Sequence, residues 1–302
     1  TIASTGTLNS DAGTVENDGT IACSGTITSG SNFAGTSSGL VEFASVANYD
    51  ASVASGQLST TLGGNRTIAN YMGVGVGTTK VIMSADDLTT AAHTLTISAN
   101  VTLEVASGRT LTIASTGTLN SDAGTVENDG TIACSGTITS GSNFAGTSIG
   151  LVEFASVANY DASVASGQLS TTLGGDTTIA NYMGVGVGTT KVILSGSETL
   201  TTSTHTLTIP ASVTLQVASG RTLTIAGAII KNGTINGSGS VTFNSIAAYD
   251  ATSDNTDIGS TITTSGTRTL GKYNSLTTKV IIASGESLTI NATAKFIIDT
   301  GV

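Results

Sequence analysis

The chain repeats itself almost letter for letter. Residues 1–84 recur as residues 112–195, and the two stretches differ only at Ser38/Ile149, Asn65/Asp176, Arg66/Thr177 and Met83/Leu194. A long tandem period is typical of proteins built by stacking similar units, each packed against the next. A catalytic site is usually one asymmetric cluster, whereas a tandem copy presents the same surface again. The repetition therefore favours a structural or adhesive role.

Three copies are predicted, at 1–111, 112–223 and 224–302, forming one continuous body. The third copy is diverged and truncated, but its landmarks still align with those of the first. The aligned pairs are Val41-Glu-Phe43 with Val241-Thr-Phe243, Tyr49-Asp50 with Tyr249-Asp250, and Thr79-Lys80-Val81 with Thr278-Lys279-Val280.

A finer period lies inside each copy and predicts an all-β fold. Apolar and Thr residues alternate in short runs such as Thr94–Ile97, Val101–Val105 and Thr110–Ile113, which is the two-residue period of a strand. Gly, Asn-Asp-Gly and Ser-Gly separate the runs and supply tight corners. These features predict a tandem-repeat parallel β-solenoid (β-helix). The alternative is an extended antiparallel β-meander assembled into a continuous sheet.

The segment Val41–Gly77 differs from the regular runs. It carries Phe43, Tyr49, Tyr71 and Met72, followed by Gly-Val-Gly-Val-Gly. We predict a longer loop or a widened turn here. Two interpretations stay open: a specialised binding surface, since loops on rigid scaffolds often carry binding, or aromatic side chains that fill a wider section of core.

Composition narrows the classes of partner. The formal net charge is −10 and only 10% of residues are charged, which opposes binding to nucleic acid or to an anionic membrane. Hydrophobic residues make up 38%, too many for a disordered chain. We found neither a signal peptide nor a transmembrane run, so no membrane insertion is expected.

A resemblance follows from the order of these motifs. The pattern Val-Glu/Thr-Phe, a Tyr-bearing loop, Thr-Lys-Val-Ile and then Leu-Thr-Ile runs resembles the repeat regions of large secreted prokaryotic β-solenoid surface proteins, adhesin-like or fibre- and sheath-forming. The resemblance implies a secreted, cell-surface location and either adhesion or assembly into fibres and envelope layers. The partners it implies are further copies of the chain, with host or surface glycans as another class. It transfers no catalytic residues.

Two cysteines, Cys23 and Cys134, occupy the same place in successive copies. Separated by several turns of a solenoid, they are too far apart to bond to each other, because a disulfide needs Cα atoms within about 7 Å. Three interpretations remain: small buried core side chains, an interchain disulfide between neighbouring rods, and metal binding or catalysis. The absence of a CxxC motif or an adjacent His disfavours the last.

Other candidate chemistry is weaker. His93 and His205 each precede a Thr-Leu-Thr-Ile run, and we expect them to be solvated residues at a strand edge. Asp86-Asp87 is the one adjacent acidic pair considered for polysaccharide hydrolysis, and the tandem calcium-binding nonapeptide is missing. Thr94/Thr96, Thr110/Thr112, Thr206/Thr208 and Thr222/Thr224 point outward in a strand, as an ice-binding face requires.

The sequence thus predicts a non-enzymatic protein without cofactor or metal. We expect a structural subunit of an extracellular fibre, sheath or surface layer that self-assembles through β-strand edges. The alternative is the stalk of a cell-surface adhesin. Third is an ice-binding or polysaccharide-acting β-helix.

Overall fold

The fold was analysed in a computed structural model. It describes residues 1–10, 13–28, 39–53, 60–68, 78–84, 87–121, 124–139, 144, 150–164, 172–179, 189–194, 200–251, 267–270, 277–281 and 295–298. Its contacts define two compact units, one comprising Thr1–Glu153 with Gly186–Gly188, the other Phe154–Val185 with Thr189–Val302. The boundary after Glu153 falls inside the second sequence copy.

Short strands dominate both units. The first unit contains β1 (Thr7–Leu8), β2 (Thr20–Cys23), β3 (Thr26–Ile27), β4 (Leu40–Phe43), α1 (Val46–Val53), β5 (Arg66–Ile68), β6 (Thr78–Met83), β7 (Leu88–Thr89), β8 (Thr94–Ile97), β9 (Val101–Val105), β10 (Thr110–Ile113), β11 (Thr118–Asn120), β12 (Thr125–Asn128), β13 (Thr131–Cys134) and β14 (Thr137–Ile138). At the boundary lies β15 (Leu151–Phe154). The second unit contains α2 (Val157–Val164), β16 (Thr177–Thr178), β17 (Thr189–Leu194), β18 (Leu200–Thr201), β19 (Thr206–Ile209), β20 (Val213–Val217), β21 (Thr222–Ile225), β22 (Ala228–Lys231), β23 (Thr234–Gly237), β24 (Ser240–Phe243), α3 (Ile246–Asp250), β25 (Thr267–Leu270), β26 (Thr277–Val280) and β27 (Lys295–Ile298).

Neighbouring strands within each sheet pair in parallel, one solenoid turn apart along the chain. Thr110 of β10 pairs with Thr131 of β13, and Thr118 of β11 pairs with Thr137 of β14. The predicted β-solenoid is therefore confirmed, and the antiparallel alternative is wrong, because the pairings within each unit are parallel. The turn that holds α1 is longer than these, since Leu40 pairs with Thr78.

Three sheets alternate around the first unit. From β8 to β14, successive strands belong in rotation to the sheets β14-β11-β8-β5, β12-β9-β6-β4-β2 and one that contains β13-β10-β7. In the five-stranded sheet, β2 and β12 are separated by four solenoid turns, through β4, β6 and β9. The strand that follows β12 in the chain, β13, is the sequence copy of β2. One copy therefore spans four turns plus one strand, so the same sequence Thr-Ile-Ala-Cys lies on two different sheets.

Columns of apolar side chains fill the interior. In the five-stranded sheet, Cys23 pairs with Phe43, and the same register continues through Val81, Leu103 and Val126. All five side chains are buried. The prediction that the Leu-Thr-Ile alternation reflects strands with one buried face is thus confirmed, because Leu, Ile and Val face the core while Thr faces outward.

Each copy carries a short helix directly after the strand that ends in Phe. The backbone N–H of Asn48 donates to Ser45 Oγ at 3.2 Å, which caps α1, and Ser156 and Ser245 do the same for α2 and α3. Tyr49 on α1 is buried and packs edge-on against Phe43, with ring centroids 5.3 Å apart. Sequence analysis predicts the longer turn but misses its helix. The core interpretation of Phe43 and Tyr49 is confirmed, while Tyr71, Met72 and the Gly-Val run lie outside the described residues.

Glycines serve the corners in two ways. Gly108 and Gly220 adopt φ of +78° and +75°, as the predicted tight turns require. At Gly25 the reason is proximity, because an added Cβ would overlap the backbone carbonyl oxygens of Ala3 and Gly6 in the preceding turn.

Candidate functional surface

The first turn is less covered than its own sequence copy. Four apolar side chains of the first turn remain partly exposed: Ile2, Leu8, Val15 and Ile21. Their copies Ile113, Leu119, Val126 and Ile132 are completely buried. The two sets have the same sequence around them, so the difference arises only from what packs on top of each turn.

A single solenoid turn, residues 88–111, packs against the buried residues of the second copy. Leu119 pairs with Leu95, Val126 with Leu103 and Ile132 with Leu111, all from residues 88–111. That turn also accepts backbone hydrogen bonds: Thr118 N–H donates to His93 O at 3.0 Å and Thr131 N–H donates to Arg109 O at 2.9 Å. In the first copy, β2 is the last strand of its sheet, although Ile2 bridges Cys23 beyond it, and β1 pairs only with β3 among the described strands. We call the surface formed by Ile2, Leu8, Val15 and Ile21 the open edge.

A charged cluster lies on the outer face of the same unit. Lys80 Nζ forms an ion pair with Glu104 and lies 3.2 Å from Glu127 Oε2. Burial disfavours the charge on Lys80, but the hydrogen bonds and negative charges of the two glutamates outweigh it and raise the pKa of Lys80. Around Lys191, the counterpart of Lys80, Gln216 and Asn236 occupy the register positions of the two glutamates.

Register explains why sequence analysis misses this cluster. Glu104 and Glu127 are paired residues on neighbouring strands, and Lys80 lies one strand further on, offset by two positions. These three residues become neighbours only when the exact length of each turn is known, and the sequence pattern does not state it. The pairing arranges two acids around one base, which is an ion-pair network on a sheet face.

Cys23 and Cys134 are both reduced and buried, each with 1% of its surface exposed. Burial raises the pKa of the Cys23 thiol, although hydrogen bonds with Gly25 and Ser52 partly oppose the shift. A thiol with a raised pKa is a poor nucleophile and a poor metal ligand. These positions suit small core side chains. The interchain disulfide stays a prediction, and forming it would require strands β2 and β13 to open.

His93 and His205 have similar solvent exposure, and each lies next to a strand-capping contact. Both are partly exposed, and His205 Nδ1 lies 4.0 Å from Asp176 Oδ1. Asp176 Oδ1 accepts a hydrogen bond from Thr206 N–H at 2.7 Å, and its counterpart Asn65 Oδ1 accepts the equivalent bond from Thr94 N–H at 2.9 Å. The Asn-to-Asp difference between copies therefore preserves one strand-capping contact.

Of the adjacent acidic pair Asp86-Asp87, the structure describes only Asp87. Asp87 Oδ1 accepts a hydrogen bond from Thr110 N–H at 2.8 Å, whereas Asp86 lies outside the described residues. Within the described part of the chain, no group of three or more His, Cys, Asp or Glu residues is placed to hold a metal ion.

Outward Thr residues form rows that are interrupted. Thr94, Thr118 and Thr137 stand in one register and are partly exposed. Elsewhere the rows break, because Thr96 pairs with Asn120, Thr112 with Ala133 and Thr206 with Ala228. A continuous flat Thr face, as ice binding needs, is thus absent from these described strands.

Buried polar residues at the corners were missed by sequence reasoning. Asn128 is fully buried; its Nδ2 donates to Leu151 O at 2.9 Å and its Oδ1 accepts from Gly130 N–H at 3.2 Å. Asn17 makes the same two contacts with Leu40 and Gly19. The Asn-Asp-Gly signal predicts only a turn, whereas its Asn also links two turns.

A third asparagine, Asn48, also joins two turns, and the third copy has alanine in its place. Asn48 Nδ2 donates to Ser24 O at 2.8 Å and to Gly25 O at 3.2 Å, tying α1 to the corner below. Ala248 occupies the equivalent position on α3 and leaves a shallow groove, lined among others by Ala226, Gly227, Ala228 and Ser245.

The described helices give no sign of a membrane span, since none of them combines the length and apolar character that crossing a bilayer requires. Comparison with family models, curated proteins and solved structures found no match to this chain.

Proposed function

We propose that this chain is a structural subunit of an extracellular fibre, sheath or surface layer that self-assembles through β-strand edges. The observation that carries the proposal is the parallel stacking of the first unit, in which one buried apolar column runs through Cys23, Phe43, Val81, Leu103 and Val126 on five successive strands. Edge strands with apolar side chains promote association unless they are protected.

The solenoid suits a mechanical role. Backbone hydrogen bonds join each strand to the next turn, and a buried apolar column runs through the turns of the first unit. In such an array stability accumulates with each added neighbour, so further turns from another molecule would extend the same pattern. The charged residues scattered along the sequence keep the surface of such an array soluble.

The experiment is assembly of the purified 302-residue chain, followed by light scattering and electron microscopy. Wild type should form fibres or sheets with a spacing of about 4.8 Å between strands. Leu8→Lys should prevent this, because a lysine protects an edge strand. Thr116→Lys adds the same charge at an exposed corner of the second copy and should assemble normally.

A second candidate is the stalk of a cell-surface adhesin. It would use the same rod as a monomer and hold a binding tip elsewhere. The assay separates the two: a wild-type chain that stays monomeric at micromolar concentration would contradict self-assembly and favour the stalk. The resemblance to secreted surface proteins supports either candidate equally.

A further inference from the structure

The side-chain carboxamide of Asn48 on α1 is hydrogen-bonded at both of its polar atoms. Asn48 Nδ2 donates to Ser24 O at 2.8 Å and to Gly25 O at 3.2 Å. Asn48 Oδ1 accepts a hydrogen bond from Ser45 Oγ at 2.7 Å. Because a primary carboxamide carries an NH₂ donor and one carbonyl acceptor, these three contacts form a complete binding slot for it.

The third copy keeps the two carbonyl acceptors of this slot. Strand β21 pairs with β24 in the register of β2 with β4, since the last residue of β21 and of β2 lies opposite a Phe. The corner after β21, Ala226-Gly227, therefore corresponds to Ser24-Gly25 after β2. Only main-chain oxygens accept in the first copy, so alanine in place of serine preserves both acceptors. Among the residues that the structure describes, neither carbonyl of Ala226-Gly227 receives a hydrogen bond.

The third copy also keeps the hydroxyl donor, but it has no carboxamide to receive the hydrogen bond. Ser245 Oγ accepts from the N–H of Ala248 at 3.0 Å, as Ser45 Oγ accepts from the N–H of Asn48 at 3.2 Å. This bond uses a lone pair of the oxygen, so the hydroxyl hydrogen is left to donate. Ser45 donates its hydrogen to Asn48, whereas the methyl group of Ala248 cannot accept one.

A groove of about 320 Å³ lies where these groups meet. It is bordered by internal strands, since β21 and β24 each have a neighbour on both sides in their sheet. Concave sites with apolar walls and a few convergent polar groups are typical of ligand binding. The lining includes Thr204, Thr206, Ala226, Gly227, Ser245 and Ala248.

We propose that the groove beside α3 binds a primary carboxamide of another molecule, in the slot that Asn48 fills within the first copy. The carbonyl oxygens of Ala226 and Gly227 accept from the NH₂ group of the ligand, and the Ser245 hydroxyl donates to its carbonyl oxygen. The methyl group of Ala248 leaves space for the carboxamide. This site adds ligand binding to the structural role and does not depend on self-assembly.

The three polar groups of the slot select the chemistry of the ligand. A carboxylate has no N–H and would bring negative charge against two carbonyl oxygens. An ammonium or guanidinium group has no acceptor for the Ser245 hydroxyl. A secondary amide keeps the acceptor but offers one N–H to two carbonyls, so it satisfies the slot incompletely.

Acetamide, titrated into the purified 302-residue chain, probes the slot. Saturation-transfer NMR observes the methyl signal of acetamide, so the measurement works for single molecules and for fibres alike. The signal should saturate, with half-saturation at roughly 0.1 M for a ligand of so few atoms. N-methylacetamide should need a several-fold higher concentration, and acetate should give no saturable signal. Binding of either compound as tight as that of acetamide would overturn the proposed contacts.

Ala248→Asn is the matched variant, because it places a carboxamide of the chain itself in the slot. It should abolish the saturable acetamide signal while the circular dichroism stays that of wild type. Asn48→Ala makes the converse change, opens the equivalent slot in the first copy and should increase the signal. If Ala248→Asn binds acetamide as well as wild type does, or if wild type gives no saturable signal, the groove is not a carboxamide site and the proposal fails.

Discussion

Leu8 and Leu119 occupy equivalent positions in successive copies. Replacing each by alanine measures how much unfolding free energy is lost when a leucine is not covered by a neighbouring turn. Leu119 is fully buried, so Leu119→Ala should destabilise the fold by about 3 kcal/mol, within the usual range for a core leucine. Leu8 already keeps part of its surface in water, so Leu8→Ala should cost about 1 kcal/mol, in proportion to the apolar area still buried. The predicted difference of about 2 kcal/mol arises from neighbouring turns alone, since the sequences around the two leucines are identical.

Urea unfolding followed by circular dichroism, at concentrations low enough to keep the chain monomeric, gives both losses of unfolding free energy. Assembly at higher concentration should rank the two variants the other way round, with the larger effect for Leu8→Ala. This variant should raise the concentration needed for fibres by roughly tenfold for each 1.4 kcal/mol by which it weakens the interface. Equal losses of unfolding free energy in the two monomers would refute the reasoning, because Leu8 would then be covered within one molecule.

Three further outcomes are expected. Lys80→Met should lower stability by about 1 kcal/mol near neutral pH; the raised pKa of Lys80 means that its charge stabilises the fold below the ordinary value of 10.5 and stops doing so as pH rises through the higher folded value, so the difference between wild type and Lys80→Met in pH-dependent urea unfolding should shrink as pH rises through that value. Ala248→Asn should restore the helix-to-corner hydrogen bonds that Asn48 makes in the first copy and raise the free energy of unfolding by about 1 kcal/mol, and no gain in the urea midpoint would contradict that account. Cys23 and Cys134 should resist alkylation in the native state and react fully in denaturant, as counted by mass spectrometry; disulfide-linked multimers of native protein on a non-reducing gel would instead support the interchain bond.

The parallel solenoid could be predicted from the sequence because its signal is local. Thr94–Ile97 and Val101–Val105 alternate strictly, and alternation alone sets which side chains face the core. Helix α1 could not be predicted in this way, because its short length gives only about two turns of the helical period. Its remaining signals are Ser45 as a cap and the Phe43–Tyr49 pair, which are equally compatible with a loop and with a core.

The surface features depend on register, which the sequence does not state. Lys80, Glu104 and Glu127 lie on three separate strands and become neighbours only once the turn lengths are known. The burial of Leu119 likewise depends on register, because its cover is Leu95, which lies 24 residues earlier in the chain and becomes its neighbour only through the pairing of β8 with β11.

The extra strand in each copy has a consequence for how such a protein could change length. Since one copy equals four turns plus one strand, adding or losing a copy by recombination between the near-identical repeats would advance everything after it by one side of the three-sided coil. Within the first unit, a partner that recognises the side carrying β2 would therefore meet the copied residues of β13 on a different side of the coil.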